Sequence, residues 1–399
     1  MKRNVFLLKL DYFFGGFWLL APLVIIYFQQ ITDSYTLAML VFSIASISTI
    51  ALELPSGILS DFLGRRKTLL VCGLLSLFCF VFWALAGEFK SITLLFLGSI
   101  LWGASDAFLS GTDEALMFET MEELGEKHNF NSFFAKACAW NQFGLALSAI
   151  IGGCIVYFTS LQILAWISVI PAFLGFVSIF LLKEPQRTFS QPRISILKHF
   201  KKALKDIISN KKLFFFSIIN VVDNAISYPI SRFEGVYFEK LIPLWSISFV
   251  RFLKQIFSTI SFSLFSKIKQ FTALYTLIYS FLGNIVFRSL GLLLNNMFSP
   301  IIMSASNLFY GSSTTIQTDI LQQNFSENQR ATMRSILSLA EKVLSSVLFL
   351  FFGFLADLYS ARLALIIAVL IRLLLTIFIY LYTKKRKSLT SVLSAVSSL

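Results

Sequence analysis

The sequence predicts an all-α polytopic membrane protein, with twelve transmembrane helices in two pseudo-symmetric six-helix bundles. Three observations predict it. The first is composition: of 399 residues, 56% are hydrophobic and only 14% charged, and Phe alone occurs 45 times. A soluble domain carries about 25% charged residues, so this chain lacks the charge to cover a water-facing surface. A soluble enzyme, a disordered chain and a disulfide scaffold are excluded. The second is spacing. Apolar runs alternate with short polar breaks, and the runs reach the ~20 residues that a spanning helix needs. Helix is the assignment, because lone strands cannot satisfy their backbone in lipid. The third is the placement of positive charge. With the N-terminus inside, 24 of the 34 Lys and Arg residues fall in inner connectors and termini, and three (Lys90, Lys240, Arg362) fall in outer ones. This bias follows the positive-inside rule. It implies an even number of spans in the cell (inner) membrane, with both termini cytoplasmic. It also accounts for the net charge of +13 without a nucleic-acid partner.

The first bundle, 1–183, holds spans at about 10–29, 36–60, 68–87, 91–112, 131–158 and 162–182. Met-Lys-Arg runs directly into apolar sequence with no small-residue cleavage site, which reads as a retained span. A cytoplasmic linker, 184–212, contains Pro185 and Pro192. Within it Leu197, Phe200, Leu204 and Ile207 recur at helical spacing, opposite Lys198, Lys201, Lys202 and Lys205. Such a helix lies on an anionic inner leaflet; the alternative is a solvated linker. The second bundle, 213–383, holds spans at about 213–238, 244–266, 270–293, 297–321, 331–357 and 361–383, and 384–399 form a cytoplasmic tail. The halves look related: at an offset of 200, Gly153 matches Gly353 and Ser160 matches Ser360, as a duplicated six-span unit predicts.

Residues 57–67 read GILSDFLGRRK, in the connector after the second span. Gly57 allows close helix approach, Gly64 a tight turn, Asp61 pairs with cations of a neighbouring helix, and the arginines anchor among phosphates. Gly57, Asp61, Gly64, Arg65, Arg66 and Lys67 match the signature G-x-x-x-D-x-x-G-R-R/K, and on these residues the chain resembles the major facilitator superfamily (MFS). The resemblance implies the MFS fold, with a central cavity and a loop that latches the halves in the outward-open state. The equivalent stretch of the second half, SLFSKIKQ at 263–270, keeps only Lys267 and Lys269. Span 5 carries GLALSAIIGG, in which Gly144, Gly152 and Gly153 resemble the family's antiporter motif, while Ser148 and Ala149 replace its central Gly-Pro. Either that motif or ordinary small-residue packing explains the three glycines. ELPSG at 53–57 and SGTDEAL at 110–116 resemble bacterial drug-efflux-like members.

Charges within spans are costly and mark function or mutual pairing. Glu53, Asp106, Asp113 and Lys136 form a candidate cluster on the cytoplasmic side. Asp223, Lys254, Glu341, Lys342 and Arg372 lie deeper, with Arg251 and Arg288 nearer the outside. Three readings stand together: Lys254 or Arg372 binds an anionic substrate group; Asp223 or Glu341, like Glu53 or Asp106, carries a coupling proton; or the charges pair with one another, for example Asp223 with Lys254. By resemblance, Asn307, Tyr310 and Gln317 on span 10 suit a polar cavity wall. Cys72, Cys79, Cys138 and Cys154 lie in apolar stretches without metal-ligand spacing, so no metal and no cofactor are expected. No Walker A sequence supplies ATP energy. The expected function is secondary transport by a monomer, with a small-molecule substrate, protons and the lipid bilayer as its partners. The first reading is a proton-coupled antiporter exporting drug-like or natural-product molecules. The others are a proton-coupled symporter importing an organic anion or nutrient, and a non-transporting receptor or scaffold.

Overall fold

A computed structural model describes residues 1–185, 196–265, 273–325 and 330–396, without the side chains of Ile58, Asp61, Ala331, 196–199, 264–265, 273 and 385–396. The described residues are almost wholly helical and contain no strand. In order, the helices are α1 (Lys2–Gly16), α2 (Val24–Thr32), α3 (Tyr35–Leu63), α4 (Arg65–Glu88), α5 (Ile92–Leu109), α6 (Thr112–Glu123), α7 (Phe130–Phe158), α8 (Leu161–Ile167) and α9 (Val169–Phe180). They continue as α10 (Ile196–Ser209), α11 (Lys211–Glu239), α12 (Leu244–Phe265), α13 (Ala273–Leu294), α14 (Ser299–Ala305), α15 (Tyr310–Asn324), α16 (Arg330–Leu358) and α17 (Ala361–Val396).

Nine helical stretches among the described residues are long and apolar enough to cross a membrane. The other three expected spans fall short for visible reasons. The first is broken between α1 and α2, where Pro22 offers no N–H to the carbonyl of Trp18. The eighth, α12, carries Arg251, Lys254 and Gln255 within 22 residues. The tenth is split by a tight 3-10 turn at Ser306–Phe309 between α14 and α15. Span 6 is also segmented. Pro171 cannot donate to Ile167, and α8 ends there.

The chain divides into two compact units. One comprises Met1–Arg193, Ser231–Phe252 and Lys342–Ala361; the other comprises Ile194–Ile230, Leu253–Glu341 and Arg362–Leu399. Three helices, α11, α12 and α16, therefore contribute several residues to both, and α17 gives the first unit Ala361 alone. In α11 the change falls at Ile230–Ser231, directly after Pro229.

In the first unit, Leu7, Leu8, Leu69, Leu116, Met117, Phe133 and Ile179 form a buried cluster. Nearby, Trp18, Trp83 and Trp102 lie with ring centroids 5.1–6.2 Å apart. The Arg232 guanidinium sits 4.4 Å over the Trp18 ring. Asn4, 1% exposed, acts as a clamp. Its amide donates to the Lys183 carbonyl at 2.8 Å and accepts from the Lys183 N–H at 3.0 Å, joining the start of α1 to the end of the sixth span. Asp357, near the end of α16, accepts from the Tyr35 and Thr36 backbone N–H groups and from the Ser34 and Thr36 hydroxyls at 2.6–2.9 Å. A carboxylate on unpaired N–H groups at a helix start is favoured by both hydrogen bonding and the helix dipole.

In the second unit, Ala203 and Ile207 of α10 are buried against Phe216, Leu321, Phe325, Met333 and Ile379. The apolar face expected on the lipid leaflet is thus partly docked on protein. Leu204, one residue away, is 38% exposed, so the buried stripe is rotated from the expected one.

Candidate functional site

Four groups of side chains gather the residues that the sequence marks. The first is the 57–67 loop. Helix α3 continues through Pro55 to Leu63, and Gly64 ends it at φ +103°, which a side-chain-bearing residue rarely adopts. The Glu184 carboxylate caps the next helix, accepting from the Arg65 N–H at 2.8 Å and the Arg66 N–H at 3.0 Å. A Cβ at Gly64 would stand 2.8 Å from that carboxylate. The Arg65 guanidinium donates to Ser60 Oγ at 2.7 Å and lies 3.5 Å from Glu119; that of Arg66 donates to the Phe180 carbonyl at 2.7 Å. The arginines expected among phosphates are thus held by protein groups, while Lys67 is exposed. Gly57 faces open space, with nothing within 4 Å of an added Cβ, so the close approach expected there is not found among the described residues. The side chain of Asp61 lies outside the described residues, as do Lys267 and Lys269.

The second group centres on Lys342. Its ammonium lies 3.0 Å from Asp106 and 4.0 Å from Glu53, whose other oxygen accepts from Ser110 Oγ at 2.8 Å. The cationic partner is therefore Lys342, 236 residues from Asp106, in place of the expected Lys136. Lys136 lines a separate hollow with Lys2, Lys9 and Glu126. Asp113 leaves the expected cluster as well, accepting from the Tyr12 hydroxyl at 2.6 Å.

The third is a cavity of about 380 Å³ within the first unit, lined from α1, α4, α5, α6, α7 and α9. Its volume lies within the ~300–1,000 Å³ range of small-molecule pockets. Asp11, Asp106 and Asp113 share its wall with Trp18, Trp102 and Phe80.

The fourth is a buried polar network in the second unit. Arg372, 8% exposed, donates through Nε to Asp223 Oδ1 at 2.9 Å and also through Nη2. Its Nη1 donates to Asn284 Oδ1 at 2.7 Å, where Arg288 Nε also donates at 3.1 Å. Gln317 donates to Asp223 Oδ2 at 2.9 Å and accepts from Asn220 at 3.0 Å. Buried ions need both a partner and hydrogen bonds for their remaining valences, and Asp223 has both. Asn224 donates to Glu341 at 3.0 Å. Asn307 donates to Ser258 Oγ at 3.0 Å and, at 3.4 Å, to the carbonyl of Lys254. Tyr310 stands apart, 47% exposed and edge-on to Phe262.

Three glycines of α7 meet backbone directly. A Cβ would lie 2.2 Å from the Phe13 carbonyl oxygen at Gly144, 2.8 Å from that of Leu19 at Gly152, and 2.9 Å from that of Trp245 at Gly153.

A family profile described as Major Facilitator Superfamily matches residues 12–348. The chain belongs to the Major Facilitator Superfamily. It is a multi-pass membrane transporter for a small molecule, and not an enzyme. No curated protein sequence gives a significant match. Among solved structures, the fold is similar to the nucleoside transporter NupG, solved as a point mutant, with TM-score 0.80 and 12% identity over 94% of this chain and 99% of that one. It is similar to the POT family transporter PepTSo (TM-score 0.73, 10% identity, 97% and 99% covered). It is also similar to a D-xylose–proton symporter (TM-score 0.68, 14% identity, 94% and 97% covered).

Two features of the transporter escaped the sequence reading. Asp11 was visible as a carboxylate one residue into an apolar span, a weaker signal than Asp223, which lies ten residues into its own. Glu184 carried no local signal, since its role depends on where the sixth span returns.

Proposed function

We propose that the transporter is a proton-coupled antiporter of the drug-efflux-like kind, exporting drug-like or natural-product small molecules by alternating access. It works as a monomer in the cell (inner) membrane with both termini cytoplasmic, its two six-helix bundles joined by the 184–212 linker. The observation that carries export is the backbone contact made by Gly144, Gly152 and Gly153. The spacing resembles the family's antiporter motif, and the contacts are close enough that each glycine is required. Coupling draws on carboxylates that already hold a proton donor or cation. A proton arriving at Asp106 or Glu53 competes with Lys342; one arriving at Asp223 competes with Arg372; one arriving at Glu341 meets a carboxylate that accepts from the neutral Asn224 amide. Protonation on opening outward releases substrate, and deprotonation on opening inward resets the site.

A second reading has specific support. The buried Arg372 and Lys254 suit an anionic substrate, and one structure of similar fold is by name a proton symporter. Membrane vesicles with an imposed pH gradient separate the two. Export predicts proton-driven accumulation in everted vesicles. Uptake into right-side-out vesicles driven by inward protons would establish import instead.

A further inference from the structure

The hollow beside the N-terminus carries an excess of positive charge. It has a volume of about 430 Å³ and lies between the start of α1, the end of α6 and the start of α7. Lys2, Lys9 and Lys136 line it against one acid, Glu126, and none of the four has an ion-pair partner among the described residues. Like charges around one space repel, and an anion entering between them relieves that repulsion. The Lys9 ammonium is already placed, 5.8 Å over the Phe133 ring that forms part of the same wall.

A second observation says what kind of anion fits. An apolar seam runs on from the hollow between α1 and α7. Lys136, Trp140 and Phe143 follow at steps of four and three and so share one face of α7, as Lys9 and Phe13 share one face of α1. The Phe13 ring lies 5.9 Å from Trp140 and 6.0 Å from Phe143. Trp140 is 42% exposed and Phe143 55%. From Lys136 to Phe143 the helix rises about 10 Å. A soluble anion has no use for such a seam, whereas an acyl chain covers it. The lysines stand where spans 1 and 5 begin, at the depth of the headgroups, where each basic residue attracts anionic lipid.

We propose that the hollow is a binding site for an anionic phospholipid, its phosphate diester held by Lys2, Lys9 and Lys136 and one acyl chain lying along Phe13, Trp140 and Phe143. Three cations against one acid favour a lipid of net negative charge over a zwitterionic one. That the lipid belongs to the inner leaflet rests on the cytoplasmic N-terminus proposed above; the site itself does not.

Native mass spectrometry of the purified full-length protein in neutral detergent tests it, by counting lipids retained during titration. The probes are dioleoyl phosphatidylglycerol, dioleoyl phosphatidylcholine and soluble glycerol phosphate. Phosphatidylglycerol is expected to be retained in preference to phosphatidylcholine. Lys9→Gln and Lys136→Gln each weaken it about fivefold, the usual worth of one basic residue at an anionic surface. Glu126→Gln removes the like charge and strengthens it, a gain that no loss of folding can imitate. Phe143→Ser weakens both lipids and leaves the preference between them unchanged. Lys201→Gln and Lys205→Gln, exposed lysines of α10, leave retention as it is. Equal retention of the two lipids, an equal loss in the α10 variants, or weaker binding in Glu126→Gln overturns the proposal. Displacement of phosphatidylglycerol by glycerol phosphate at equal concentration overturns it too, and makes the hollow a site for soluble phosphate esters. Lipid retention in micelles is independent of transport direction, so failure here leaves the export reading standing, and import in the vesicle assay leaves the lipid site standing.

Discussion

Asp223 and Arg372 show what a single buried charge demands. Each is at least nine-tenths buried, and each satisfies the other together with Gln317, Asn284 and Ser227. Removing one partner leaves an uncompensated ion, which costs about 3–5 kcal/mol, whereas replacing both with apolar residues is often close to neutral. Arg372→Met and Asp223→Leu alone are therefore expected to lower thermal stability more than the double variant does. Thermal unfolding of the purified protein measures this; additive losses would show that the two do not act as a pair. At Gly144 the demand is steric. Gly144→Ala places a methyl 2.2 Å from a backbone oxygen and forces α1 and α7 apart, while Gly57→Ala meets nothing. The expected outcome is a loss of ~1–3 kcal/mol, the usual cost of overpacking, for the first and little change in stability for the second, read in the same assay.

At the scale of elements, helix ends and helix interruptions carry the consequences. Glu184 closes the start of α4 with two charge-assisted bonds. Glu184→Ala is expected to cost about 1 kcal/mol, as other N-terminal caps do, and to raise amide exchange at Arg65 and Arg66. Unchanged exchange there would deny Glu184 the capping role. Pro229 lies inside the continuous helix α11, one residue before the change of compact unit at Ile230–Ser231. Proline removes one backbone hydrogen bond and loosens the helix locally, so Pro229→Ala stiffens that point. Slower transport with unchanged substrate affinity is the expected result, from initial rates across substrate concentrations. An unchanged maximal rate would mean that no hinge is needed there.

At the scale of the molecule, Asp357 fastens the start of α3 to the end of α16 through four hydrogen bonds. Asp357→Ala should raise hydrogen exchange at Tyr35 and Thr36 by more than tenfold, on the order of two lost charged hydrogen bonds. This same scale decides what sequence alone reveals. The spans were legible because lipid imposes length, apolarity and an inside bias of Lys and Arg on every one. Glu53, Asp106, Asp223 and Arg372 were legible as costly charges for the same reason. Their partners were not. Lys342 reaches Asp106 across 236 residues and Arg372 reaches Asp223 across 149, and such pairings depend on helix rotation, which hydropathy does not encode. The interruption at Trp18–Leu23 was hidden because apolar content continues through it.

The Asn4 clamp bears on how the chain is made. Its partner, Lys183, follows the sixth span by a few residues. Nothing C-terminal to it is needed for the two amide bonds, so the ring of early helices can be buttoned shut while the ribosome is still translating the remainder. Asn4→Ala is then expected to leave nascent chains, arrested once Lys183 has cleared the ribosome exit tunnel, open to protease, where wild-type chains of equal length resist it.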